Sequence, residues 1–354
     1  MSTSTLTKTE SPEFLKEIEE IYEKPVAYQL RASSTWVTKS FKERSFYERL
    51  ATIDLANKKV YELKEKNPNK PPVHSVWKER LWLLLVVPPA LIIQALWYHF
   101  VPETSYYHTW HPAFAFLFYL LAFVVFTLQL VGRCHYYMKY YGTFDEDKRP
   151  RDHVPDKLIP RLVISVIMYF IIRTTVGIVL GGYNRYEPPA LGRTISWFVL
   201  VKVGLWLIAL DMFFYTYHRI VHIVPFLWKI HSLHHCTKHP TPLQSILAGD
   251  IQDVIEIVII PILSTLVVPL TSHEFWVAQC VLIYMEAGGH SGIRAYWPHV
   301  LLYEVLVPFG MEICIEDHDL HHRYGKSGMN YGKQTRIFDR IFGTCSDRIE
   351  CEQK

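Results

Sequence analysis

The chain has 354 residues, of which 50% are apolar and 20% charged, with a net charge of +3. That balance excludes a disordered chain, a collagen and a small disulfide scaffold, and it is too apolar for a purely soluble protein of this length. The positive charge is spread thinly, so there is no basic stripe of the kind that binds nucleic acid; the anomalous count is histidine, at 18.

In chain order, Met1–Glu10 lacks an apolar stretch behind a basic start, which predicts no cleaved secretory signal and insertion through internal helices. Residues 11–70 space Ile, Leu, Tyr and Phe among Glu, Lys and Arg, predicting amphipathic helices on the cytosolic side or on the membrane surface. Asn67–Pro72 (NPNKPP) breaks the pattern as a linker, so 1–79 reads as a cytosolic amphipathic N-terminal region. Residues 80–199 read as transmembrane helices. Leu81–Val101, kinked at Pro88-Pro89, and Pro112–Gly132 are long and uncharged enough to cross a bilayer. Leu158–Gly181, with Arg161 and Arg173, and Thr194–Tyr215, with Lys202 and Asp211, are the third and fourth spans. Val254–Leu270 and Glu274–Gly289 predict a tight helical hairpin, short for a full crossing. Residues 200–345 carry the chemistry, and 346–354 read as a C-terminal tail.

Lys and Arg number fifteen in 1–80, none in 102–111, six in 133–157, two in 182–193 and eight in 291–354. The positive-inside bias therefore predicts that the N-terminus, the 133–157 loop and the C-terminal region face the cytosol, which four spans deliver. The hairpin returns to the side it left, so 218–250 and 290–354 share a compartment. The fold class is an all-α integral membrane protein of about four transmembrane helices with a cytosolic histidine-rich catalytic cap. Six cysteines form no CxxC pair or regular framework and read as reduced and structural.

The histidines come in boxes: His218-Arg-Ile-Val-His222, His231-Ser-Leu-His234-His235 and His318-Asp-Leu-His321-His322. Spacings of three and four place imidazoles on one helical face, where several ring nitrogens can aim at a common point. Eight histidines exceed the needs of one ion, whereas two octahedral-type metals can use eight to ten nitrogens and keep positions open for oxygen. Asp211 lies two turns before His218 on the same helix, where it is placed to accept an N–H from a ligand imidazole and fix its tautomer.

The run from Asp211 to His222, then His231 to His235, resembles the core of the fatty acid hydroxylase and sterol desaturase superfamily. So do His290-Ser291-Gly292, the third box, Asn330-Tyr331-Gly332 and Asp339–Thr344, and the spacing is most similar to the 4-methylsterol oxidase branch. The resemblance covers about residues 200–345. It implies an endoplasmic-reticulum enzyme that uses O2 at a di-iron centre to hydroxylate or desaturate a lipid, with electrons from NAD(P)H through cytochrome b5 or its reductase. It carries over the eight box histidines as ligands and adds His290 as a ninth, with no catalytic residue beyond the ligands. Zinc competes well for nitrogen ligands, so a purified sample can hold zinc instead. The branch often has one more histidine where this chain has Gly249, so the resemblance implies either a replacement ligand, Asp250 or His239, or a site with one fewer protein ligand.

No flavin, haem or ferredoxin motif accompanies the boxes, so electrons must come from a partner. The expected substrate is hydrophobic, sterol-like or long-chain, entering from the bilayer into a pocket near Phe213, Phe214, Trp276 and Tyr284. The alternatives are a desaturase of the same superfamily and a histidine-rich metal transporter. A transporter would carry its ligands near the bilayer midplane, whereas these boxes follow a span end and recur in a polar segment.

Overall fold

The computed structural model of the chain describes residues 34–55, 70–145 and 151–351. Most of the amphipathic N-terminal helices expected over 11–70 lie outside the described residues. Within them, the short helix α1 (Phe46–Ala51) begins at a capping box in which Ser45 and Glu48 satisfy each other's backbone N–H groups.

Four long apolar helices cross the molecule: α2 (Val76–Phe100), α3 (Pro112–Tyr141), α4 (Ile159–Leu180) and α5 (Val199–Ile223). Pro88 and Pro89 interrupt α2 after Val86, as their missing N–H groups require. Both α3 and α5 run further than hydropathy predicts. The helix α3 continues nine residues past Gly132 through Arg133 and the tyrosines to Tyr141, where Gly142 at φ 80° turns the chain. The helix α5 continues past Tyr215 through both histidines of the first box. The reason is common to both: a drop in hydropathy marks where surroundings change, whereas a helix ends where a breaker stands.

The hairpin comprises a turn of helix (Asp250–Asp253), a π-helix (Val254–Ile259) and α6 (Ile260–Val267), then the returning α7 (Ser272–Ser291). Neither arm is among the four helices long and apolar enough to cross, in line with the expected short hairpin, although α7 runs twenty residues, about 30 Å. Its turn lies at the end of the bundle remote from the histidines, where Ser272 N donates to Gly181 O at 2.9 Å and Thr271 Oγ1 to Thr194 O at 2.7 Å.

The 101–111 and 181–198 connections lie at this same end, joined by Tyr183 Oη donating to Trp110 O (3.1 Å) and Arg185 Nη2 to Thr109 Oγ1 (2.6 Å), and the remaining connections gather at the opposite end as a cap, which includes α8 (Ile315–Tyr324) and α9 (Ile337–Phe342). No strand forms among the described residues, only four isolated bridges. The cap is stitched to the bundle by backbone bonds such as Phe144 N to Gly292 O (2.8 Å), Asp152 N to His239 O (2.9 Å) and His74 N to Tyr296 O (2.9 Å). The N-terminal segment joins it through buried Asp54, whose carboxylate accepts from Thr241 Oγ1 and from Leu243 N.

Candidate metal centre

Nine histidines converge where α5, α7, α8 and the 231–235 segment meet, and all nine are buried. They form two groups, His218, His222, His231, His235 and His321 in one and His234, His290, His318 and His322 in the other, each with its ligand atoms within 4.8 Å of one another. Residues four apart stay together: 218 with 222, 231 with 235, 318 with 322. The histidine three residues into each HxxHH box, His234 or His321, belongs to the other group.

Five of the rings are oriented by backbone carbonyls. The Nδ1 atoms of His218, His222 and His321 lie 2.8, 3.2 and 2.8 Å from Tyr331 O, Lys326 O and Met329 O. Those of His234 and His290 lie 3.1 and 2.7 Å from Leu247 O and Glu286 O. A carbonyl only accepts, so each Nδ1 carries the proton and each Nε2 presents a bare lone pair. Yet His234 Nε2 and His290 Nε2 are 3.1 Å apart. Two lone pairs at that distance repel, and a cation between them converts the repulsion into ligation. The other contacts repeat the theme: His318 and His322 each bring Nε2 to 3.1 Å from that of His290, and His321 brings its own to 3.1 Å from that of His235. Burial and neighbouring imidazoles press the pKa values of His231, His235, His318, His321 and His322 well below the ordinary range, and burial takes His234 down to about 4. The rings are therefore neutral and ready to ligate. The two groups are capable of holding metal ions, and the donor set suits a pair of nitrogen-seeking ions such as iron or zinc.

Three of those carbonyls come from one segment, 326–331, which carboxylates hold in place. Asp339 accepts from Tyr331 N (2.9 Å) and Gly332 N (2.7 Å). Gly332 is required because a Cβ there would sit 2.2 Å from Thr335 O. Asn330, at φ 62°, donates to Asp317 O. Asp211 departs from its expected role: it accepts from Lys333 N (2.7 Å), Gln334 N (2.8 Å), Thr335 N (3.1 Å) and Thr335 Oγ1, and from no imidazole. It thus fixes the loop that follows Tyr331, and orients His218 only through that loop. Sequence reasoning missed this arrangement because a carbonyl has no identity in a sequence.

The other replacements expected near the centre lie elsewhere. Asp250 has an 82% exposed side chain paired with Arg161 at 2.5 Å, so it points out of the bundle. Both ring nitrogens of His239 face carboxylates, Asp145 at 2.8 Å and Asp152 at 3.3 Å. Of the expected pocket residues, only Tyr284 lines a cavity beside the centre. Phe213 packs half-buried against the core, Phe214 lies under the Lys333 ammonium at 4.4 Å, and Trp276 donates to Val87 O at the α2 kink. The cavity is walled by Cys134, Met285, Ile293, Trp297 and Ile313 and lined by His290 and His318. Only the four-histidine group opens onto it.

Comparison with known proteins agrees with this geometry. Residues 203–344 match the fatty acid hydroxylase family. A fatty acid hydroxylase from a Lecanicillium species is 38% identical over 221 residues, which is 60% of each chain. Very-long-chain aldehyde decarbonylases from the indica and japonica subspecies of Oryza sativa are 28% identical over 216 residues, 58% of this chain and 76% of theirs. No solved structure matches. The fold and site define a membrane-embedded protein with two buried histidine clusters, whose segment 203–344 is similar to the fatty acid hydroxylase family. The chain spans 60% of the length of the Lecanicillium relative.

Proposed function

We propose that this protein is a membrane-bound di-iron oxygenase that uses O2 to hydroxylate a C–H bond of a long-chain lipid. The observation that carries the reading is the apolar cavity lined by His290 and His318, because a histidine-held redox pair beside an apolar cavity is what lipid oxidation needs. The names of the relatives favour an acyl chain over a sterol, so the sterol oxidase branch is the less supported assignment. His218, His222, His231, His235 and His321 would hold one ion, and His234, His290, His318 and His322 the other. When bound, the ions supply a redox centre for activating O2. The chain's own residues then have three tasks. The carbonyls of residues 326, 329 and 331 keep each Nε2 directed at the centre. The walls of the cavity exclude water and hold a substrate carbon near His290 and His318. The intact cap seals the centre from the side opposite the bundle.

Electrons would come from NAD(P)H through cytochrome b5 or its reductase. The charge bias of the loops supports an endoplasmic-reticulum orientation with the N-terminus and boxes cytosolic. The test is expression in membranes with NADH and a reductase system under 18O2, followed by lipid mass spectrometry. An 18O-labelled lipid that disappears with His321→Ala is expected. A product two hydrogens lighter and unlabelled would make the protein a desaturase, and vectorial zinc movement in proteoliposomes without lipid change would make it a transporter.

A further inference from the structure

Arg173 lies deep in α4 with 2% exposure, and neither its Nε nor its Nη1 has a hydrogen-bond partner. Its Nη2 reaches Glu256 O at 3.4 Å, and the guanidinium carbon lies 5.2 Å from the centre of the Tyr169 ring. A guanidinium so placed in a membrane helix is costly unless something accepts its protons. It faces a second cavity, which Tyr169, Ser245, Gln252, Glu256 and Lys333 also line. Ser245 Oγ is buried there and unpartnered as well. The π-helix shapes this annex: Glu256 offers its carbonyl to Arg173 and its carboxylate to Lys333, and π-turns gather at functional sites.

Lys333 and Glu286 line both the apolar cavity and this annex, so the two adjoin. A ligand with an apolar body in the first and a polar end in the second fits the pair. Charge decides what that end is. Lys333 Nζ lies 3.3 Å from Glu256 and 3.2 Å from Glu286, and Asp253 is held by Arg161 at 3.1 Å. Arg173 and Lys333 therefore balance Glu256 and Glu286, and Arg161 is shared by Asp250 and Asp253, so the annex has no surplus positive charge. A carboxylate added here would leave a buried net negative charge, whereas a hydroxyl or carbonyl accepts the free N–H groups and leaves the balance intact.

We propose that the annex around Arg173 and Ser245 binds the uncharged oxygen head, a hydroxyl or carbonyl, of the lipid whose chain fills the apolar cavity. This rests on the lipid-oxidation reading for the identity of the chain, and a binding measurement that needs no turnover separates the two. Radiolabelled octadecan-1-ol, methyl stearate, stearate and octadecane are equilibrated with the purified full chain in nanodiscs at pH 7.5, with empty nanodiscs as the blank. The alcohol, the ester or both should bind about tenfold tighter than octadecane and stearate, the arm that wins naming hydroxyl or carbonyl. Arg173→Met should remove that preference and Arg173→Lys should keep part of it. Equal binding of octadecane and both oxygenated lipids, tightest binding of stearate, or an unchanged preference in a folded Arg173→Met variant would overturn the proposal. Should Arg173→Met fail to fold, the ranking on the unaltered chain decides alone. Lipid oxidation without head-group preference would refute the annex only; head-group preference without oxidation would refute the oxygenase only.

Discussion

Replacing Asp211 with Ala removes one carboxylate from the fully buried interior and leaves three backbone N–H groups and one hydroxyl without their acceptor. Each buried donor so stranded costs about 1–3 kcal/mol, and relaxation of the loop recovers part of it, so the net loss is on the order of 3–6 kcal/mol. The loop that moves is continuous with Tyr331, whose carbonyl orients His218. Two readouts should therefore fall together in Asp211→Ala: the thermal midpoint in detergent, and the metal bound per chain, with the five-histidine group affected first. Asp211→Asn retains one acceptor oxygen and should lie between. If Asp211→Ala keeps its full metal content and a midpoint within about 2 °C of the parent, the carboxylate does not hold this loop and the reasoning is wrong.

A Cβ at Gly288 would meet nothing within 4 Å, and the residue lines the apolar cavity, so Gly288→Leu should reduce turnover of long substrates about tenfold with metal content unchanged; full turnover would mean that substrate does not use the cavity. In the metal-free chain, the unfolded state takes up protons on its histidines below about pH 6.5 while buried His234 resists until about 4. Stability should hence be level above about pH 7 and fall as pH drops through that window, which thermal midpoints at pH 7.5, 6 and 5 would test; a midpoint that rises on acidification contradicts the sign. A glycosylation tag inserted within 102–111 should be modified and tags within 133–157 or after 345 should not, the reverse pattern inverting the topology.

The four spans were legible because an uncharged apolar run of bilayer length rarely arises outside a membrane, and the boxes because eight histidines at helical spacing would strand many ring nitrogens without a metal. What hydropathy could not locate was the end of α5: His218 and His222 ride on the same continuous helix as the span, with no breaker before Pro225. The spacing marks the histidines as ligands that can share a point, yet only the packed structure says how they divide between the two groups and which group receives His290. Asp211 stands out in the sequence as an acid inside a span that needs a partner, but its partners are backbone amides 122 to 124 residues away, which no local pattern encodes. Arg173, Glu256, Glu286 and Lys333 are scattered charges along the chain; the annex they form exists only once α4, α7, the π-helix and the cap are assembled.

The crossing of His234 and His321 has a consequence for how such a centre is assembled. Neither group of nitrogens belongs to a single stretch of chain, since the second box feeds both and so does the third. Local fraying at either box takes donors from both groups at once, so the segments are linked like two rings passed through each other. An ion seated in one group restrains the scaffold of the other, and the first ion captured prepares the place of the second. Loading of the two groups should then be cooperative, which a titration of metal bound per chain would test.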